Sequence, residues 1–136
     1  MAESPHRFVN PEGLMPPRGF SHVAVPAPGR LVFVAGQTAH RPDGGVDGDT
    51  LAEQFAAALR NLVTALDAAG ARPEHLVRME IYLTDAAAYR ESLGPIGDAW
   101  RETLGRHYPA VSLFEVSGLA DPQALVEIVA TVVVPE

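Results

Sequence analysis

Leu125-Val126-Glu127-Ile128-Val129-Ala130-Thr131-Val132-Val133-Val134 is an apolar stretch interrupted by a single charge. Its length and β-branched content predict a strand, and its near-continuous apolarity predicts one buried on both faces. Glu127 is the exception that needs a reason. Taking an ionised carboxylate out of water costs several kcal/mol unless a cation or hydrogen-bond donors meet it. Glu127 is therefore expected to be paired, protonated or exposed at a cleft, and each case gives it the unusual surroundings that acid–base chemistry requires.

Working outward, Ala110–Ser117, Leu76–Leu83 and Arg30–Ala35 also read as strands, the last with Leu31, Phe33 and Ala35 on one face and Val32 and Val34 on the other. Short strands are expected near Arg7–Val9 and Ser21–Val25, on either side of a proline-rich segment from Pro11 to Gly19. His40 to Gly45 is a turn. Thr50-Leu51-Ala52-Glu53 has the spacing of a capping box, and Leu51, Phe55, Leu59, Leu62 and Leu66 form the apolar stripe of the helix it starts. Gly70 is placed to end that helix in a left-handed conformation. Asp85 caps a second helical region with Tyr89, Leu93, Ile96, Trp100 and Leu104 at helical spacing, and Gly94-Pro95 should kink or break it.

The order predicts an α+β fold, one domain over residues 1–136, with two helices packed on one face of a mixed sheet. Two helices cover one face only. Strands 30–35 and 125–134 are apolar on the other face too, so another copy of the chain is the simplest cover and a homo-oligomer is expected.

Composition narrows the partners. A net charge of −7, with ten Lys and Arg that do not gather into a block, opposes a phosphate backbone, so no nucleic acid is expected. There is no cysteine, hence no disulfide and no thiolate metal site. The stretch from Met1 to Arg7 lacks the apolar core of a signal peptide and no run is long enough to span a bilayer, so a cytoplasmic protein without a membrane partner is expected. His6, His22, His40, His75 and His107 show no metal-ligand spacing, no glycine loop suits a phosphate, and no cofactor or metal is implied. Ser112 and Ser117 lack a histidine–aspartate arrangement or a nucleophile elbow.

The chain resembles the YjgF/RidA group of reactive-intermediate deaminases over nearly its whole length. The residues that carry the resemblance are Gly19-Phe20-Ser21-His22, Leu31 to Gln37, Gln54-Phe55, Ala58 to Leu62, Ala69-Gly70-Ala71, Val77 to Asp85, Tyr108-Pro109-Ala110, Phe114-Glu115-Val116 and Leu125 to Ile128. The resemblance implies a chorismate-mutase-like fold, a homotrimer, and small-molecule sites in clefts between subunits. It also implies that an arginine directly after the Pro-Ala pair clamps a substrate carboxylate and that the glutamate of the last strand positions the water attacking an imine carbon. Glu127 holds the glutamate position. Val111 holds the arginine position, and a valine cannot bind a carboxylate. Phe20 stands where the family often has tyrosine, Ala35 where it often has serine, and Leu93 where an asparagine is expected. All four differences remove polar groups and point to a less charged ligand.

The candidate catalytic residue is thus Glu127, as a water-orienting general base in surroundings made apolar by Val111, Leu113 and Ala35. The alternative is a structural ion pair with Arg18 or Arg72. Candidate ligand contacts are Phe20, His22, Ala35, Gly36, Gln37, Leu93, Val111, Ser112 and Leu113. Gly36 would allow close backbone approach and Gln37 would offer a donor and an acceptor, with a turn that simply leaves the sheet an equal alternative. His22, a candidate proton donor or ligand contact, is more commonly a surface or capped histidine, and Ser112 is better read as a structural hydroxyl. The Tyr89/Trp100 stripe is better read as core than as a stacking platform. The function expected is hydrolysis or tautomerisation of an imine or enamine metabolite, with a non-catalytic metabolite-binding protein of the same fold as the alternative. Ribonuclease activity, attached to relatives, fits the acidic balance poorly.

Overall fold

The computed structural model describes residues 3–136. Met1 and Ala2, part of the stretch read for a leader, lie outside the described residues. Six strands and three helices follow in the order β1 (Arg7–Val9), β2 (Val23–Val25), β3 (Gly29–Gln37), α1 (Leu51–Ala68), β4 (Leu76–Leu83), α2 (Ala86–Glu91), α3 (Leu93–Leu104), β5 (Ala110–Glu115) and β6 (Val126–Pro135). β1 and β2 form a separate antiparallel pair, and the main sheet runs β3-β6-β4-β5.

β4 and β5 are parallel, joined across α2 and α3, while β6 enters antiparallel between β3 and β4. The last strand is therefore central, which explains its apolar run: it has a neighbour on each side and helices on one face. Val126, Ile128, Ala130 and Val132 point into the core with Met79, Ile81 and Leu83 of β4. Phe55, Leu59, Leu62 and Leu66 of α1 and Ile96, Trp100 and Leu104 of α3 close over them. On the opposite face the strand is only half covered within one chain, at Glu127, Val129 and Thr131. Neighbouring Leu31 (54% exposed), Phe33 (74%) and Phe114 (46%) lie open.

Helix ends follow the local chemistry. The Thr50 hydroxyl accepts from the Glu53 amide and the Glu53 carboxylate from the Thr50 amide, both at 3.2 Å. Gly70, at φ 71°, lets the Ala71 amide reach back to the Leu66 carbonyl (2.9 Å) and its own amide to Asp67 (3.1 Å), which closes α1 with a Schellman motif. The second helical region breaks at Ser92, before the expected Gly94-Pro95. Pro95 instead occupies the first turn of α3, where its missing N–H leaves no bond unmade.

The family landmarks Gln54 and Asn61 are loop staples. Gln54, buried on α1, donates to the Gly48 and Gln123 carbonyls and accepts from the Leu125 amide (2.8 Å). Asn61 donates to the carbonyls of Thr38 (2.8 Å) and His40 (2.9 Å). Both hold the loops flanking β3 and β6 against the helix.

Buried histidines fasten the N-terminal segment. His6 Nε2 donates to the Val133 carbonyl (2.8 Å), and His107 Nε2 to that of Leu76 (2.8 Å), with Phe8 edge-on against the His107 ring. Burial, the largest cause, holds His75 and His107 below the ordinary 6.5; His6 adds to the depression at both, and Glu74 opposes it. The unfolded chain takes up these protons near pH 6.5 and the folded chain only lower, so the stability they contribute is full above that pH and is lost as pH falls through the folded values. The melting temperature should hold steady from pH 8 to 7 and decline from about pH 6.5 downward, more gently in His107→Gln. Parallel declines in the variant and the parent would remove His107 from this account.

Candidate active site

Two half-sites emerge, on opposite faces of the sheet. The first is a cavity of about 540 Å³ between the helix-side face of β4 and β5, α3 and the loop before β2. Val111 and Leu113, paired with Met79 and Ile81 of β4, point to this side, and Phe20 and Leu93 join them. Tyr89, Trp100 and Tyr108 complete an aromatic wall, and Arg18 and Arg101 stand at its edge. The volume suits a small-molecule ligand.

Glu127 belongs to the second half-site. It lies opposite Tyr82 on β4, on the face away from the helices. An irregularity in β3 between Val34 and Gln37 brings the Gly36 backbone against it: a β-carbon there would overlap the Glu127 carboxylate. Only glycine permits this approach. Tyr82 donates to Glu80 (2.9 Å), and that bond, with burial and the charges of Glu80 and Glu127, pushes the phenol up. Ser112 shares this face, held by Arg78 at 3.2 Å. Ala35 and Gln37 flank Gly36 at the end of β3, the Gln37 amide donating to the Ala35 carbonyl (3.1 Å).

Within one chain, therefore, Glu127 does not share a pocket with Val111 and Leu113, as the sequence led us to expect. Strand alternation sends them to opposite sides. Nor do the two arginines considered for an ion pair engage Glu127: Arg72 pairs with Glu74 (3.0 Å), and Arg18 lies at the cavity. His22 lines neither half-site, since its Nε2 donates to the Met15 carbonyl (2.7 Å), its ring meets Phe20 edge-on, and its amide donates to Asn10 (2.7 Å). It shapes the proline-rich loop that carries Arg18 and Phe20.

Sequence reasoning missed Trp100 and Tyr89 as cavity residues because helical periodicity marks them as core, and Tyr108, beyond the helix, because it stood out only within Tyr108-Pro109-Ala110. Trp100 is core as well, and Tyr108 stacks on it at 6.2 Å. The Trp100 indole donates to the His107 carbonyl (3.0 Å). Burial pushes the Tyr89 phenol up, further from ionisation. A hydroxyl–imidazole–carboxylate chain also runs from Thr38 through His40 to Asp121 (2.8 Å for the second link), but none of the three lines the cavity; it ties the loop after β3 to the one before β6. Among the described residues no group of three or more His, Asp or Glu is arranged to hold a metal ion, and no helix is long and apolar enough to cross a membrane.

The family model described as Endoribonuclease L-PSP matches residues 13–134. The fold superposes with TM-score 0.85 on the crystal structure of YyfB from Yersinia pestis, a protein of unknown function of the conserved Rid family, at 34% identity over 95% of this chain and 98% of that one. The chain belongs to the YjgF/RidA family. Another member, Rv2704 from Mycobacterium tuberculosis, is 32% identical over 95% of this chain and 99% of its own, with TM-score 0.64. At 25% identity, the YjgF product of E. coli covers 77% of this chain and 81% of its own with TM-score 0.64. A search of curated proteins found no match. Within this YjgF/RidA member Glu127 and Val111 lie on opposite faces of the sheet.

Proposed function

We propose that this YjgF/RidA member is a cytoplasmic small-molecule enzyme that hydrolyses or tautomerises an imine or enamine metabolite, at clefts assembled between the subunits of a homotrimer. The observation that carries the reading is the split site. The cavity sits beside β5 and the Glu127–Gly36 pair beside β3, and these are the two edge strands of the sheet. Head-to-tail association, with the open face of one copy that carries Glu127 turned onto the β5 edge of the next, brings one copy's Glu127 to the next copy's cavity and closes into a ring. It also covers Leu31, Phe33 and Phe114, the apolar residues left open in one chain.

In hydrolysis, Glu127 takes a proton from water as its oxygen bonds to the imine carbon, and the C=N electron pair moves to nitrogen. The proton passes to nitrogen to give a carbinolamine. Glu127 then takes the proton of the new hydroxyl and delivers it to the same nitrogen as the C–N bond breaks, so that ammonia leaves with a carbonyl product. For an enamine, the same carboxylate moves a proton between nitrogen and carbon. Phe20, Leu93, Val111 and Leu113 hold the apolar part of the ligand. The relatives' endoribonuclease description is not carried over, because a net charge of −7 works against RNA.

Ammonia release from imines generated in place by an amino-acid oxidase tests the reaction. The wild type should accelerate release over the uncatalysed rate, favouring imines with large apolar side chains. Val111→Arg should shift preference about tenfold or more toward small imines bearing a carboxylate beside the nitrogen. No carboxylate or imidazole lines the cavity of a single chain, and this favours the second reading, a metabolite-binding accessory protein. Ligand-induced thermal stabilisation with no turnover of any imine would establish that reading and end the first.

A further inference from the structure

Five aromatic residues line the cavity, Phe20, Phe55, Tyr89, Trp100 and Tyr108, and no aspartate or glutamate does. Two cations reach it. Arg101 is occupied, with Nη2 2.5 Å from the Asp98 carboxylate. Arg18 makes no ion pair among the described residues, although the chain carries a net charge of −7 and 17 carboxylates with which it could have paired. It stands on the loop immediately before Phe20, whose backbone is pinned just beyond: the Ser21 amide donates to the Pro109 carbonyl (2.9 Å) and the Ser21 hydroxyl to that of Tyr108 (2.7 Å).

We infer that the cavity is built for a bulky aromatic or otherwise apolar monocarboxylate, with its ring against the Trp100–Tyr108 wall and its carboxylate on the Arg18 guanidinium. The planar fork of arginine presents two parallel donors to a carboxylate, and Arg18, itself exposed, is free to turn them to a ligand in the cavity it lines. A single free cation selects one negative charge, and a cavity of about 540 Å³ leaves a two- or three-carbon acid poorly packed. The sequence alone suggested a less charged ligand. Arg18 changes that inference: a positive charge lines the cavity from the loop before β2, although β5 carries valine at position 111. This assignment rests on the cavity being the ligand half-site of the proposed reaction, but it concerns equilibrium binding and not turnover.

Isothermal titration of the wild-type protein with 3-phenylpropionate, its amide and acetate provides the test. The acid should bind about 3- to 10-fold more tightly than the amide, the gain that an exposed arginine contact supplies, and acetate should give no measurable heat. In Arg18→Gln the acid should fall to the affinity of the amide, whose own affinity stays put; Arg18→Lys should recover part of the difference, and Arg101→Gln should leave it nearly intact. Equal binding of acid and amide by the wild type, an unchanged ratio in Arg18→Gln, loss of the ratio in Arg101→Gln instead, or no binding of either compound overturns the inference. Because these ligands carry no C=N bond, the result is independent of the ammonia assay: binding without deamination keeps the Arg18 contact and discards the reaction, and deamination with an unchanged acid-to-amide ratio does the reverse.

Discussion

Replacing Glu127 with glutamine should lower imine hydrolysis by about 10²- to 10⁴-fold, the range that one positioned general base contributes. Glutamine keeps the shape of the side chain and its packing over Gly36, so the loss reports proton transfer and not a collapsed site. Affinity for an unreactive ligand in the aromatic cavity should be nearly unchanged, because within one chain Glu127 is not among the residues that line it. A fall in kcat without a matching fall in ligand affinity is the expected pattern. If Glu127→Gln turns over at the parent rate, the water-activating role belongs elsewhere and Glu127 is a structural carboxylate beside Tyr82.

Phe33→Glu should convert an assembled protein into a monomer. Phe33 is 74% exposed in one chain and stands with Leu31 and Phe114 on the uncovered side of the sheet. Burying such a side chain contributes about 1.5–3 kcal/mol. Replacing it with a carboxylate that has no partner removes that gain and adds a desolvation cost of several kcal/mol, repeated at every interface of a ring. Light scattering at micromolar concentration should give three times the chain mass of 14.5 kDa for the parent and a single chain mass for the variant. A monomeric parent, or a variant that assembles like it, would sink the trimer and with it the joining of the two half-sites. The variant should also lose turnover while retaining 3-phenylpropionate binding, because the cavity lies within one chain and, in the proposed ring, Glu127 comes from the next.

Most of the frame was legible in the residues. Thr50 and Glu53 cap α1, Gly70 ends it, and the stripe Phe55, Leu59, Leu62 and Leu66 faces the sheet, each for a reason contained within a few neighbouring positions. The break near residue 94 was legible and misplaced: proline is harmless in a helix's first turn, so the chain could break earlier, at Ser92, and keep Pro95 inside α3. The strand read to Ser117 stops at Glu115, whose partner Leu83 is the last residue of β4.

The site was legible only as a set of residue types. Glu127 stands out because a charge in a β-branched run is costly wherever the strand goes, and Gly36 because a glycine lets a backbone pass closely there. Neither observation says which side of the sheet is which. That follows from strand register: Tyr82 opposite Glu127 and Met79 opposite Val111 fix the carboxylate and the valine on opposite faces. Arg18 and Tyr108, 90 positions apart, meet at one cavity because the loop before β2 is tied to the start of β5, an arrangement no local pattern encodes. Sequence by itself determined the elements, the core stripe and the presence of an unusual carboxylate, since these depend on short-range sterics and on the cost of burying charge. Only the tertiary structure decided that the carboxylate and the cavity are separate halves, because facing is a property of paired strands and not of either strand alone.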